Sequence, residues 1–235
     1  MTRRRWIADE VSGNTAALTG DHAVHLARVL RAEIGQEFDI ATGDAVRRGT
    51  ITNISNDRVE FALGEEQPLR PAPQITLALA IFKFDRMEWA IEKCTEIGVA
   101  RIIPVIARRT ETHLAAAAVR RQERWQRIAL QAAEQSRKAA PAEIASPVKL
   151  NQLAELMTTC RIVLAESEKD TTLRDALQSR PTDVTLAVGP EGGWTADELQ
   201  WFHDSGWIAA SLGDTILRAE TAAIVSAAIA LDALR

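Results

Sequence analysis

Short apolar stretches with β-branched residues dominate the first third of the chain. They cover residues 37–40, 46–54 and 58–63, and turn-forming residues at 42–44 and 55–57 separate them. Short stretches of this kind, bounded by Gly, Asn and Asp, are typical of strands joined by hairpin turns. We therefore predict a small β-rich module in this part of the chain.

One helix is predicted within this module, over residues 22–30. Asp21 is its expected N-cap, because a side-chain oxygen at that position accepts a hydrogen bond from a free N–H group of the first turn. The side chains predicted at helical spacing to face the core are Val24, Ala27 and Leu30. Arg28 and Arg31 are then left for solvent or RNA.

A different pattern begins after residues 64–74, which carry three prolines and are typical of an extended linker. Residues 75–82 and 101–106 are buried apolar runs, and a helical pattern lies between them, from an Asp85 cap to Gly98. Its apolar positions are Met87, Ala90, Ile91, Cys94 and Ile97. Further strands are predicted over residues 161–165, 184–188 and 207–212, each followed by a helical pattern. This alternation predicts an α/β fold with a mainly parallel sheet.

Composition limits the compartment and the chemistry. The 235 residues are 46% hydrophobic, which supplies a real core. Cys94 and Cys160 match no zinc or redox spacing, and no apolar run has the length of a membrane span or a signal peptide. We expect a cytoplasmic protein without a membrane partner. His22 and His25 have no third ligand at useful spacing, so we predict no metal and no cysteine nucleophile.

Charge is unevenly placed along the chain. The formal net charge is −4, yet residues 101–138 hold nine Arg and Lys residues against three acids. Such a run is either a phosphate-binding face or a solvated helix face. Taken alone, the run favours the solvated face.

A glycine-rich loop, GPEGG at residues 189–193, follows the predicted strand 184–188. No Gly-Lys-Ser/Thr follows it, so it is not a nucleotide-triphosphate loop. The glycines allow a flat ligand to approach the backbone closely, and Thr195 and Glu198 have the spacing of a capping box. The alternative is a tight turn with only a structural role.

A second strand-to-helix junction lies about twenty residues further on. There Arg218, Glu220 and Thr221 stand at the start of an alanine-rich helix. An isolated Arg-x-Glu is most often a surface ion pair. Because open α/β sheets bind ligands at the carboxyl ends of their strands, these residues can instead hold a substrate base or phosphate beside the glycine-rich loop.

Several stretches together resemble one family. They are DHAVHLARVLR at residues 21–31, KFDRMEW at 83–89, KCTEIG at 93–98, RWQRI at 124–128, AEQS at 133–136, GPEGG at 189–193 and LGDTILRAETA at 212–222. The chain resembles the RsmE-type 16S ribosomal RNA uridine-N3 methyltransferases of the SPOUT superfamily. The similarity runs in order over essentially the whole chain. One departure is SRKAAP at residues 136–141, where the family commonly has Gly-Arg.

The resemblance implies a PUA-like β-barrel that binds RNA over residues 1–70 and a SPOUT domain with a deep trefoil knot over residues 71–235. It also implies a homodimer and S-adenosylmethionine (SAM) as cofactor. The implied cofactor-binding residues are Leu164, Ala165, Glu166, Gly189, Pro190, Glu191, Gly192, Gly193, Ser211, Leu212, Gly213, Ile216, Leu217 and Thr221.

The implied reaction is methylation of N3 of a uridine in the decoding region of 16S ribosomal RNA, as free RNA or in the assembled small subunit. It needs no metal and no enzyme nucleophile. We expect Arg218 to stabilise charge on the uracil carbonyl oxygens, and Glu220 to accept the N3 proton or to position Arg218. The expected RNA-binding residues are Arg3, Arg4, Arg28, Arg31, Lys83, Arg86, Arg109, Arg137 and Lys138.

Two other functions remain open. A SPOUT ribose 2′-O-methyltransferase would use the same cofactor loops, although such enzymes usually carry a Ser-Leu-Asn-type motif where this chain has ILRAET at residues 216–221. A non-catalytic RNA-binding factor in ribosome assembly would keep the fold without the reaction. A measurement of SAM binding distinguishes the non-catalytic factor from both methyltransferases.

Overall fold

A computed structural model describes residues 5–43, 45–68 and 74–234 of the chain. The chain divides into two compact units. The first comprises Met1–Pro71 and Ala133–Ala140, and the second comprises Ala72–Ala132 and Pro141–Arg235. The segment 133–140 thus groups with the N-terminal unit although it lies far along the chain.

The first unit contains a six-stranded sheet in the order β1-β4-β5-β6-β3-β2. Its strands are β1 (Arg5–Ile7), β2 (Glu10–Ser12), β3 (Thr15–Thr19), β4 (Glu37–Ala41), β5 (Ala45–Ile54) and β6 (Arg58–Pro68). β1 pairs with β4 in parallel, and the remaining described pairs are antiparallel. The predicted β-rich module is confirmed. The linker predicted over residues 64–74 is wrong in its first part, because Gln67 and Pro68 still pair with Val46 and Ala45 of β5.

The helix of this unit differs from its prediction in cap and in face. It consists of α1 (Gly20–Val24) followed by a π-helical turn (His25–Val29). Thr19, not Asp21, is the N-cap. The buried side chains are Ala23 and Leu26, the predicted Ala27 packs half-buried against this core, and Leu30 is 39% exposed. The helix starts earlier than predicted, and its last turn closes through the i−5 bond from Leu30 N to His25 O, which shifts the side chains relative to an ideal α-helix.

The second unit is built on a seven-stranded sheet in the order β10-β8-β7-β12-β11-β13, with β9 also paired to β8. The strands are β7 (Gln74–Ala80), β8 (Arg101–Ile106), β9 (Glu143–Ile144), β10 (Val148–Lys149), β11 (Cys160–Leu164), β12 (Asp183–Val188) and β13 (Ile208–Ala210). All described pairs are parallel. The prediction of an α/β fold with a mainly parallel sheet is confirmed.

Helices pack on this sheet and bury its central strands. They are α2 (Phe84–Ile97), α3 (Thr112–Gln135), α4 (Leu173–Ala176), α5 (Ala196–Asp204) and α6 (Ala219–Ala233), with a 3-10 helix at Leu150–Glu155. The predicted apolar face of α2 is buried except for Ile97, which is half-buried, and Gly98 ends the helix at φ 120°. Asp85 is wrong as the cap, because Lys83 holds that position and Asp85 lies in the first turn.

The core of the first unit leaves no room beside Gly49 on β5. A Cβ atom at Gly49 would lie 2.4 Å from Cγ1 of Ile40 and 3.3 Å from Cβ of Phe61. Gly64 on β6 differs, since a Cβ there would find its nearest atom at 3.4 Å, an ordinary contact. Both glycines lie in strands, so Gly64→Ala is a matched control for Gly49→Ala.

We predict that Gly49→Ala lowers the free energy of unfolding by about 1–3 kcal/mol, because an inserted methyl group overpacks the core. Gly64→Ala should change it by less than ~0.5 kcal/mol. Urea unfolding of both variants measures the difference. Equal effects of the two substitutions would contradict the packing described here.

Candidate functional site

A pocket of about 530 Å³ lies in the second unit, at the carboxyl ends of β11, β12 and β13. Residues 164–167, 188–194 and 210–219, which follow or end these strands, form most of its wall. Parallel pairing brings the strand ends together, with Val163 of β11 opposite Ala187 of β12 and Leu164 opposite Ala210 of β13. The pocket therefore lies where open α/β sheets bind ligands.

The structure brings the predicted cofactor-binding residues together around this pocket, with the exception of Thr221. Thr221 is half-buried in α6 and does not line the wall. Lining residues that the sequence analysis missed are Ser167, Lys169, Val188, Trp194, Leu199, Ala210, Ala219 and Ala222, whereas Asp214 and Thr215 belong to the predicted loop 211–217. Their position next to the predicted strand ends was the available signal, and extending each loop by a few residues would have included most of them.

The glycine-rich loop is tightly folded. Gly193 has φ 69°, and its N–H donates to the carbonyl oxygen of Pro190 at 2.8 Å. A Cβ atom at Gly189 would lie 3.2 Å from the indole nitrogen of Trp194, and one at Gly192 would lie 3.1 Å from Cδ of Arg109. A side chain at Gly189 or Gly192 would therefore crowd Trp194 or Arg109, and at these glycines the backbone itself lines the pocket.

The capping box predicted for the helix behind this loop is confirmed. Thr195 is the N-cap of α5, and its hydroxyl accepts from the N–H of Glu198 at 3.3 Å. The Glu198 carboxylate accepts in return from the N–H of Thr195 at 2.8 Å. The same carboxylate also accepts from the backbone N–H of Arg108 at 2.7 Å, a contact across 90 residues that the sequence analysis missed.

Cationic side chains collect at the pocket. Arg86, Arg109 and Lys83, predicted to bind RNA, line it together with Arg218, which was predicted to be catalytic. The guanidinium of Arg109 donates to the carbonyl oxygen of Gly192. With Lys169, five cationic side chains line the pocket against the three carboxylates of Glu166, Glu191 and Asp214, and this excess of positive charge suits an anionic group such as a nucleic-acid phosphate.

Arg86 connects two acidic side chains. Its Nη1 lies 3.3 Å from Oε1 of Glu191 in the glycine-rich loop and 3.6 Å from Oε1 of Glu220 in α6. Glu220 is 5% exposed, and its Oε2 has no hydrogen-bond partner among the described residues. Glu220 therefore faces Arg86, and no pair between Glu220 and Arg218 is found in the described part of the chain.

Comparison with known proteins identifies the family. The RNA methyltransferase domain family matches residues 70–231. Ribosomal RNA small subunit methyltransferase E of Synechocystis is 32% identical over 94% of this chain and 74% of its own length. The chain belongs to the ribosomal RNA small subunit methyltransferase E family. This confirms the resemblance that the sequence motifs indicated.

Two solved structures are similar over nearly the whole chain. A methyltransferase of Legionella pneumophila, solved with bound SAM, is 28% identical, with a TM-score of 0.87 over 99% of this chain and 98% of that one. Ribosomal RNA small subunit methyltransferase E of Neisseria gonorrhoeae, solved bound to SAM, is 27% identical, with a TM-score of 0.84 over 97% and 96% of the two chains. Both cover the two units, so the similarity to this family is not confined to the pocket.

The remaining residues predicted to bind RNA lie in the first unit or outside the described residues. Arg28 is exposed and donates to the side-chain oxygen of Asn56 at 3.4 Å, and Arg31 is exposed with φ 52°. Arg137, at φ 59°, is exposed, and Lys138 next to it is half-buried. Arg3 and Arg4 lie outside the residues that the structure describes.

Part of the basic run 101–138 is neutralised by acids of the second unit. Glu88 on α2 accepts from Arg124 at 2.8 Å through each of its oxygens, and Arg121 lies 3.4 Å from it. Arg101 lies 3.2 Å from Glu143. Exposed pairs like these stabilise little, but they occupy the guanidinium groups. Along α3 the solvated helix face is therefore the better interpretation for Arg121 and Arg124.

The described residues show neither a metal-binding cluster nor a membrane-spanning helix. They contain no group of three or more His, Cys, Asp or Glu side chains placed to hold a metal ion. Among the described helices, none combines the length and the apolar character that a bilayer crossing requires.

Both cysteines are buried in the second unit. Burial raises the pKa of the Cys94 thiol to about 12. Burial, together with the nearby Asp183 carboxylate, also raises the pKa of Cys160. At pH 8 both groups are therefore mainly protonated, and neither is an activated nucleophile.

We predict that neither cysteine is alkylated rapidly by iodoacetamide in the folded protein at pH 8, because the raised pKa values suppress the thiolate and burial blocks access. Both should react quickly in urea. Peptide mass analysis after timed labelling measures the two sites separately. Fast, stoichiometric labelling of Cys94 in the folded protein would contradict this placement.

Proposed function

We propose that this protein uses SAM to methylate N3 of a uridine in 16S ribosomal RNA. The observation that carries the proposal is the pocket of about 530 Å³ built by three loops of an RNA methyltransferase domain. Support comes from the two similar structures solved with SAM and from relatives named for the small-subunit RNA. The target position, N3 of a uridine, rests on the sequence motifs alone.

The pocket residues fit SAM chemically. Gly189, Gly192 and Gly193 leave backbone groups open to a flat adenine ring, and Ile216, which is 78% exposed, offers an apolar surface beside them. Glu166 and Asp214 place carboxylates in the wall for the positively charged parts of the cofactor. When bound, SAM supplies an electrophilic methyl group on a sulfonium. The proposed cofactor contacts are the residues predicted from the sequence, except Thr221, which does not line the pocket.

Uracil N3 carries a weakly acidic proton, so methylation needs stabilisation of negative charge on the neighbouring carbonyl oxygens and a proton acceptor. Arg218 is exposed at the start of α6 and lines the pocket, which suits it to donate to those oxygens. Glu220 is the proposed proton acceptor through its Oε2 atom, which is buried without a partner among the described residues; Glu220 itself does not line the pocket. The ion pair with Arg86 holds the other carboxylate oxygen.

The RNA contacts extend over both units in this proposal. N3 lies on the Watson–Crick edge, so the target uridine must be unpaired or flipped out before it reaches the pocket. Lys83, Arg86 and Arg109 bind phosphates near the pocket. Arg3, Arg4, Arg28, Arg31, Arg137 and Lys138 bind RNA from the N-terminal region and the segment after α3.

The finer architecture is proposed from the family resemblance. Residues 1–70 form a PUA-like barrel domain, and residues 71–235 form a SPOUT domain with a trefoil knot. The protein acts as a homodimer in the cytoplasm, on 16S RNA or the assembled small subunit.

The test is methyl transfer from labelled SAM into small ribosomal subunits that lack this modification, followed by nucleoside analysis. The proposal predicts labelled 3-methyluridine. A ribose-methylated nucleoside would identify a 2′-O-methyltransferase instead. SAM binding without any product from free RNA or subunits would contradict the proposed substrate, and absence of SAM binding would leave a non-catalytic RNA-binding factor.

We predict that Arg218→Ala lowers kcat by about 10²–10³-fold, because removal of one donor to a developing negative charge typically has an effect of that size. Methylation kinetics under saturating SAM and RNA measure it. Arg174→Ala is the matched control, since Arg174 is exposed on α4 and does not line the pocket. Normal turnover by Arg218→Ala would remove Arg218 from the mechanism.

A further inference from the structure

The carboxylate of Glu198 accepts more hydrogen bonds than a helix cap requires. A capping box works with either Glu or Gln at this position. Glu198 is 7% exposed, and its Oε2 accepts from Thr195 N at 2.8 Å and from Thr195 Oγ1 at 3.0 Å. Its Oε1 accepts from Arg108 N at 2.7 Å. Only the bond from Arg108 N uses the second carboxylate oxygen, because both bonds from Thr195 use Oε2.

Burying a charged carboxylate is costly unless hydrogen bonds compensate. No Lys or Arg side chain forms an ion pair with Glu198 among the described residues, so N–H and O–H donors hold its charge. An amide would satisfy the cap at lower cost, because it needs no charge stabilisation. The buried charge is therefore explained by the bond to Arg108.

Arg108 belongs to a rigid turn between β8 and α3. Thr110 closes this turn, since its Oγ1 accepts from Ala107 N at 3.1 Å and donates to the carbonyl oxygen of Ile81 at 3.2 Å. Its N–H also donates to the carbonyl oxygen of Ala107 at 3.1 Å. The turn has little freedom of its own, so a contact at Arg108 fixes the backbone of the next residue as well.

The next residue, Arg109, reaches the glycine-rich loop. Its guanidinium donates to the carbonyl oxygen of Gly192. A Cβ atom added at Gly192 would lie 3.1 Å from Cδ of Arg109. Arg109 also lines the pocket, whereas Arg108 and Glu198 do not. Two successive residues of one turn thus contact the glycine-rich loop and the helix that follows it.

We propose that Glu198 is a positioning residue for the cofactor pocket. Its carboxylate holds the turn 107–110 against α5, and this contact places Arg109 on Gly192 so that the glycine-rich loop keeps the shape that binds SAM. The inference rests on the proposed function, because it assigns SAM to this pocket.

Two variants separate the cap from the long-range bond. Glu198→Gln keeps an acceptor for Thr195 but turns an N–H donor toward Arg108. Thr195→Val removes the capping hydroxyl and leaves the bond from Arg108 to Glu198 intact. Both should lower the melting temperature, Thr195→Val because it removes the cap of α5 and Glu198→Gln because it breaks the bond from Arg108 N. We predict that only Glu198→Gln weakens SAM binding, by about tenfold, as expected for a hydrogen bond to a charged group.

Isothermal titration with SAM measures these affinities. Failure of wild-type protein to bind SAM would reject the proposed function itself. Wild-type binding with equal dissociation constants for Glu198→Gln and Thr195→Val would reject only the positioning role. A larger constant for Glu198→Gln alone would support it.

A double-mutant cycle tests the route through Arg109. If Glu198 acts by placing Arg109, Glu198→Gln should add less than about a twofold loss of SAM affinity in an Arg109→Ala background. The same tenfold loss of SAM affinity in the wild-type and Arg109→Ala backgrounds would overturn that route. Such additive losses would indicate that Glu198→Gln acts locally on α5.

Hydrogen exchange on the wild-type protein keeps the proposal testable if Glu198→Gln does not fold. SAM should slow exchange of the Arg108 amide, because ligand binding and the bond to Glu198 stabilise each other. Slower exchange at Arg108, a residue outside the pocket wall, would support the proposal. Exchange at Arg108 that is unchanged by saturating SAM would overturn it.

Discussion

Parallel pairing of β11 with both β12 and β13 is the constraint on which the site depends. It places the carboxyl ends of these strands side by side, so the three loops that leave them must meet. The backbone of residues 189–193 then closes on the indole of Trp194 and on the Arg109 side chain, where a Cβ atom at Gly189 or Gly192 would crowd its neighbours. The pocket is therefore a consequence of strand order. The glycines let the backbone of the loop pack closely against Trp194 and Arg109.

Local patterns predicted much of the fold because their causes are local. The strand over residues 101–106, the buried face of α2 and the capping box of Thr195 and Glu198 follow from apolar spacing and from bonds between near neighbours. The two N-caps at Asp21 and Asp85 were wrong, since a carboxylate in the first turn is as favourable to a helix as one at the cap, and sequence alone does not separate the two. Leu26 of the π-helical turn after α1 is buried in one cluster with strand residues such as Leu18 and Phe61, a contact between distant residues that a local pattern does not indicate.

The site could be predicted where glycines or polar residues directly follow a predicted strand, as in the glycine-rich loop and in residues 211–218. Contacts between distant parts of the chain were not. Arg86 lies near Glu220, and Arg108 contacts Glu198, only because the sheet order brings α2 beside α6 and the turn after β8 beside α5. The same limit applies to the basic run, since Glu88, which pairs with both Arg121 and Arg124, lies on another helix.

We propose that these three loops form the SAM site. A crystal structure of the protein with SAM tests this most directly. We predict ligand density against the backbone of residues 189–193 and between the loops that follow β11 and β13, with the methyl group directed toward Arg218 and Glu220. Ligand density at any other place on the protein, or no density at saturating SAM, would contradict it.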